Sequence, residues 1–417
     1  MVGCHGRLTW KWKMRFKKFS YIIQIIVVLY ILTFGLILPI TCWNLPFSRY
    51  YIRGKSTHTL DVAIKKDRLE GEAAYKYFSE MEDLKERNFY EEAFTKKKPK
   101  YAIGVITVSR HTVDKNSEAY SPQYLPRVVA KFDQLLVEHN RKDILFFICN
   151  AQTEPEEHEA AIKLSRYVPS VQKQPIESTN RRTVHAREQE KQDYVFCINQ
   201  MRKFNATYSI LVQDDALPYP QFIKHLDRIV NTRIENKFIH DRLEKNLDNL
   251  ASLKFYFPEK WEGYGTDNNL ILELIATGLL GGGVLYAIFN IFVKFMTTPQ
   301  RILLYSLCSF YFGLLMFVIG RPYLLWLRLV FPDFYTVTGA PECCIPAVLY
   351  KTEFLQNLEY HLNGIQCYTT FPLDVAISRF FKTVSLKQYL VVPNLFDHIG
   401  VFSSLHKTPK DPHSFMT

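Results

Sequence analysis

Two adjacent aspartates, Asp214 and Asp215, follow the apolar run from Tyr208 to Val212 and a single Gln213. A carboxylate at the end of a buried strand can hold a divalent cation such as Mn2+ or Mg2+ with few other protein ligands, because phosphate oxygens and water complete the shell. Asp215 is the expected direct ligand, and Asp214 is expected to orient a sugar or ribose hydroxyl. An ordinary polar turn is the competing reading of an Asp-Asp pair in this place. His398 stands in the stretch PNLFDHIGVFSSL, with Gly400, Ser403 and Ser404 close by. A neutral imidazole is a suitable further ligand for Mn2+, and small or hydroxyl residues beside it can approach diphosphate oxygens. A lone histidine is more often structural. Asp374, two residues after Pro372, is the candidate general base, since an inverting group transfer needs a side chain to take the acceptor hydroxyl proton. A carboxylate favoured by a helix N-terminus explains Asp374 equally well. Glu353 and Glu359 are alternatives.

These residues need a frame. The run YAIGVITV from Tyr101 to Val108 is short, apolar and rich in β-branched residues, as a buried strand is. DILFFIC, from Asp143 to Cys149, and YSILV, from Tyr208 to Val212, read as further buried strands. Helical spacing occupies Pro126 to Glu138 and Glu188 to Phe204 between them. Strands alternating with helices predict an α/β fold with a mostly parallel sheet, whose ligands sit at the carboxyl ends of the strands. Asp214 and Asp215 fall there. Thr352 to Leu362 and Pro372 to Phe381 read as helices, and Gln388 to Val392 as a short strand.

Three long apolar runs divide the 417 residues. Tyr21 to Trp43 is long enough, at about 1.5 Å per residue, to cross a ~30 Å hydrocarbon core. It exceeds a cleavable signal's apolar centre and lacks a small-residue cleavage site, so it reads as a signal anchor. Leu270 to Phe295 and Ile302 to Leu327 are separated by only a short turn, which makes them an antiparallel hairpin. Gly278 and Gly282 form a small-xxx-small pair suited to close helix packing. Basic residues before the anchor and Lys294 and Arg301 at the turn place the N-terminus and the turn in the cytosol and the rest in the lumen. The predicted organisation is therefore a basic tail (1–20), an anchor (21–43), a stem (44–100), a first catalytic part (101–269), a hairpin (270–327) and a second catalytic part (328–417). The net charge of +11 comes from local clusters, Arg7 to Lys18 and Lys96 to Lys100, and no nucleic-acid motif accompanies it. Asn205-Ala206-Thr207 is a glycosylation acceptor triplet, consistent with a lumenal chain. Eight cysteines leave the disulfide pairing open, and adjacent Cys343 and Cys344 could each pair elsewhere.

Taken together, the anchor, the strand YAIGVITVSR, the strand end LVQDDALP and a hydrophobic hairpin inserted in the catalytic domain resemble the GPI-glycan N-acetylgalactosamine transferase family of three-span Golgi enzymes. The stretches EKQDYVF and PNLFDHIGVFSSL are also similar to N-glycan branching GlcNAc-transferases, which lack the hairpin. The resemblance implies a GT-A-like fold split by the hairpin, a multi-pass Golgi membrane location, UDP-GalNAc as donor and the mannose core of GPI-anchored proteins as acceptor. It implies that Asp215 and His398 bind the metal, that Asp214 faces the donor and that Thr107 and Arg110 lie near the uridine nucleotide. Gln213 departs from the family pattern, which usually begins the acidic motif with a carboxylate. A branching GlcNAc-transferase and a catalytically degenerate membrane scaffold are the competing readings.

Overall fold

A computed structural model describes residues 5–52, 60–82, 90, 98–110, 112–113, 119–174, 185–235, 247–264, 268–292, 296–330, 334–403 and 408–409. Lys96, Lys97, Lys294 and Ser404 lie outside these. The chain divides into two compact units, one of residues 1–59 and 259–330, the other of residues 60–258 and 331–417.

The second unit is built on an eight-stranded sheet. Its strands are β1 (Tyr101–Thr107), β2 (Ile144–Asn150), β3 (Ser170–Gln172), β4 (Tyr208–Gln213), β6 (Leu250–Lys254), β7 (Thr336–Gly339), β8 (Ala347–Lys351) and β9 (Lys387–Val392). Outside the sheet, β5 (Ala216–Pro218) pairs with β10 (Phe396–His398). The sheet order is β3-β2-β1-β4-β8-β6-β9-β7. β1 runs parallel to β2 and β4, β2 to β3, and β6 to β9. β8 is antiparallel to β4 and β6, and β7 to β9. The sheet is therefore mixed and mostly parallel.

β2 shows why these runs become central strands. All seven of its residues are buried, so it is apolar on both faces rather than alternating. Phe146 meets Phe132 of the helix Tyr124–Glu138 on one face. Phe147 joins the other face, a core with Met201, Val348, Leu358 and Phe381 from the helices Ala186–Lys203, Leu355–Asn363 and Leu373–Thr383 and from β8. A disulfide joins Cys149 to Cys197 across that second core, and Cys343 pairs with its neighbour Cys344.

The predicted stem segment contains a helix, Leu60–Glu82, that is part of this unit. Its Asp67 is buried at 1% exposure. Asp67 accepts from Arg127 Nη1 (2.7 Å), from the Tyr120 hydroxyl (2.6 Å) and from the Gln123 amide (2.8 Å). The helix is thereby clamped to the start of Tyr124–Glu138, where Pro126 sits in the first turn and needs no donor.

Among the described residues, the first unit holds three helices long and apolar enough to cross a membrane: Phe19–Cys42, Asn268–Ile291 and Thr298–Ile319. The last ends earlier than the predicted Leu327. Gly320 takes a φ of 103°, and Pro322 opens a separate short turn of helix, so the long helix stops before the proline. In the hairpin, a Cβ on Gly282 would lie 2.3 Å from Ser309 Cα, and one on Gly278 3.2 Å from the Ser309 carbonyl. The two backbones touch through the small-residue face. Glu273 and Arg321, which the sequence leaves as separate end charges, form a forked ion pair, with Nε to Oε1 and Nη2 to Oε2 both at 3.0 Å.

Candidate active site

The parallel strands β1, β2 and β4 end on one edge of the sheet, and the acidic pair lies there. Asp214 and Asp215 follow β4 directly, at 3% and 6% exposure. Two connections bring the chain's C-terminal part to them. The Ile399 amide donates to the Asp215 carbonyl (2.9 Å), and β10 pairs His398 with Ala216. As a result His398 Nε2 lies 3.5 Å from Asp215 Oδ2, across 183 residues of sequence that include the hairpin.

Around this pair the side chains form one network. Thr107, the last residue of β1, donates from Oγ1 to Asp214 Oδ2 at 2.7 Å and lies 2.7 Å from His158 Nε2. Arg110 forks between the carboxylates, pairing Nη2 with Asp214 Oδ1 and Nη1 with Asp215 Oδ2, the latter at 2.9 Å. It also donates to the Phe402 carbonyl at 3.2 Å, which sets the neighbouring Ser403 at this site. The Tyr124 hydroxyl accepts from the Val401 and Phe402 amides (2.8 and 2.9 Å), and the Tyr124 ring lies under the Arg110 guanidinium. Burial pushes the Asp214 carboxyl up, only partly offset by Arg110, and the neighbouring Asp215 charge adds to the rise. At Asp215 burial is outweighed by Arg110 and His398, which hold its carboxyl well below the usual range. The two carboxylates thus differ, with Asp215 the firmly charged member.

The geometry has room for a cation. Asp215 Oδ1 is buried and has no hydrogen-bond partner, an arrangement that is costly unless something not yet present binds there. A Cβ on Gly400 would come within 2.8 Å of Asp215 Oδ2 and 2.9 Å of His398 Cε1, so glycine keeps that space open. Among the described residues no group of three or more His, Cys, Asp or Glu converges on one point. The chain can offer Asp215 and His398, with phosphate and water left to supply the other ligands. The Asp214 side of the network opens into a cleft of about 180 Å³ lined by Tyr75, Ser109, Arg110, Tyr124 and His158 among others.

Asp374 begins the helix Leu373–Thr383. Its Oδ2 accepts from the Cys344 amide and its Oδ1 from the Val375 amide, both at 2.9 Å. Two residues beyond Cys344, the Pro346 carbonyl accepts from the Gln213 amide at 2.7 Å, so Asp374 is on the same sheet edge as the acidic pair. It is half-buried and does not bond to that pair. Glu190, at the start of the helix Ala186–Lys203, is near Asp374; burial pushes its carboxyl up, against the pull of Arg187 at 3.2 Å.

Other expectations fall elsewhere. Asn205 is exposed, in a left-handed turn with φ 51°, and lines a groove of about 670 Å³ with Lys98, Arg202, Lys351 and Glu353. That groove is at the amino edge of the sheet, since the Thr207 amide beside it bonds to the Pro99 carbonyl. It is larger than the cleft at Asp214 but lies away from the acidic pair. Glu353 is therefore remote from the site, and Glu359 is occupied by Asn199 and Arg202. Neither fits the role of base. His158, Tyr75 and Tyr124 escape sequence reading because each comes from an unremarkable stretch with no motif spacing to mark it.

A mostly parallel α/β sheet with acidic residues at its carboxyl edge, in a chain with three candidate membrane helices, defines a membrane-associated protein with a ligand site where such sheets bind ligands. A model of the family described as GPI-N-acetylgalactosamine transferase PGAP4 matches residues 101–397. The chain belongs to that family, and it is accordingly a glycosyltransferase acting on GPI glycans.

Proposed function

We propose that the protein transfers GalNAc, with inversion, from UDP-GalNAc to the mannose core of GPI anchors in the Golgi lumen, and that it needs Mn2+ or Mg2+ to do so. The observation that carries the metal-dependent reading is the buried, unpartnered Oδ1 of Asp215 beside His398. A divalent cation held there would neutralise the donor diphosphate and favour its departure. The chain's own groups have separate tasks. Thr107 and Arg110 fix Asp214 and Asp215. The cleft beside Asp214 supports placing the nucleoside against Tyr75 and Tyr124. Ser403 and Ser404 are assigned to the diphosphate. Asp374 takes the proton from the acceptor hydroxyl as its oxygen attacks the anomeric carbon. A two-amide clamp keeps that carboxylate oriented while leaving it accessible. Asn205 is assigned to glycosylation, in keeping with its exposure.

The purified full chain, given Mn2+, a GPI-core glycan and either UDP-GalNAc or UDP-GlcNAc, is expected to transfer sugar from UDP-GalNAc alone. Preferential transfer from UDP-GlcNAc would favour a branching type of enzyme. No transfer from either, with cellular function preserved in Asp215→Ala, would favour a scaffold.

A further inference from the structure

We propose that Lys254 is a positioning residue for Asp374, acting through the loop 341–344; the inference rests on Asp374 being the base. Lys254 ends β6 on the carboxyl edge of the sheet and is wholly buried. Its ammonium donates to three consecutive carbonyls, those of Pro341 (2.8 Å), Glu342 (3.1 Å) and Cys343 (2.8 Å). An ammonium has three N–H donors and no lone pair, so three carbonyls match it fully, and a buried ammonium requires such compensation. The next residue, Cys344, takes a φ of 73°, a left-handed conformation uncommon for a side chain of this kind and held only where neighbours enforce it. The Cys344 amide is the one that donates to Asp374 Oδ2 at 2.9 Å. Strand, loop and carboxylate therefore form a single chain of contacts: Lys254 fixes the loop, and the loop aims the carboxylate.

The charged groups facing Lys254 are Asp374 from the helix Leu373–Thr383 and Glu342 from the loop. Glu342 is in turn paired with Lys382 and lies near Arg379. Burial lowers the Lys254 ammonium to about 8, against the opposing pull of Asp374 and Glu342. A neutral amine would keep only two donors and would turn a lone pair toward the third carbonyl.

Lys254→Met keeps the unbranched side chain, one atom shorter, and removes the donors. In the detergent-purified full chain it is expected to lose amide-exchange protection over 342–345, the loop residues that carry an N–H. Transfer kcat should fall about tenfold or more while the UDP-sugar KM stays within about twofold. Asp374→Asn and the double variant should then have equal residual activity, because both changes act through one carboxylate. Unchanged protection over 342–345, or losses that multiply in the double variant, would overturn the proposal. Full activity of Asp374→Asn would instead remove the reading of Asp374 as base, and this inference with it. Should Lys254→Met fail to fold, the wild-type chain still answers. Moving from pH about 7 to about 9.5 should raise exchange over 342–345 beyond the intrinsic rate and beyond that of β4, and a parallel rise in both segments overturns the proposal.

Discussion

At the residue level the acidic pair was the most legible feature. An apolar strand ending in two aspartates puts both at the edge where α/β sheets bind ligands, and both are found there. Thr107 and Arg110 come to the same network, but only the resemblance to a family pointed to them; nothing in their spacing did. His158 and Lys254 were illegible because a buried titratable residue is defined by what surrounds it, and their partners lie 51 and 87–89 residues away. A separate titration can be read from Glu262, outside the apolar spans. Burial pushes its carboxyl up from 4.5 to about 8, against Arg321. Between those values the folded chain keeps a proton that the unfolded chain has lost, so stability is greatest at low pH and falls as pH rises through about 8. The thermal midpoint of the wild-type chain in detergent should drop between pH 5.5 and pH 8.5 by more than that of Glu262→Gln. Equal drops in the two would show that Glu262 does not titrate in this way.

Among the elements, the strands with continuous apolar runs were readable and those without were not. β1, β2, β4 and β9 were anticipated within a residue or two. β6, which carries Ser252 and Lys254 into the interior, lacks a purely apolar pattern, and β8 offers only four apolar residues before Lys351; neither was anticipated. Their polar residues are satisfied by partners that only the fold supplies: Tyr350 by Tyr194 (2.8 Å) and Lys254 by the loop. The helix Leu60–Glu82 is held by the buried Asp67 together with the fully buried Phe78 and with Tyr77, whose hydroxyl donates to Asp133 at 2.6 Å. Asp67→Ala leaves the buried Arg127 with only the more exposed Glu70 as partner and should cost about 3 kcal/mol, read as a fall in the denaturant midpoint of the full chain. A change under about 1 kcal/mol, the range of exposed pairs, would mean that Glu70 suffices to compensate Arg127.

Over the whole molecule, the sheet-bearing unit is interrupted in sequence by residues 259–330, which belong with the N-terminal anchor. Three apolar helices and their short connection were plain in the sequence because hydropathy over ~20 residues is a strong signal. The fork between Glu273 and Arg321 was not, since it depends on how the helices pack. If the two hairpin helices span the bilayer, as their length and composition allow, the catalytic chain is tethered to it at both ends of the hairpin. Tethering raises the effective concentration of an acceptor that is itself membrane-bound. Replacing residues 259–330 with a soluble linker should lower transfer to GPI-anchored acceptor in vesicles far more than transfer to a soluble GPI-core glycan. Equal losses would mean that the hairpin serves only to complete the fold.

The account depends most on a cation at Asp215. Titrating Mn2+ calorimetrically into the full chain with UDP present tests this directly. Wild-type protein should show saturable binding that weakens in His398→Ala and disappears in Asp215→Ala, with Asp374→Asn unchanged. Binding of Mn2+ and UDP to Asp215→Ala with the wild-type affinity would contradict the account.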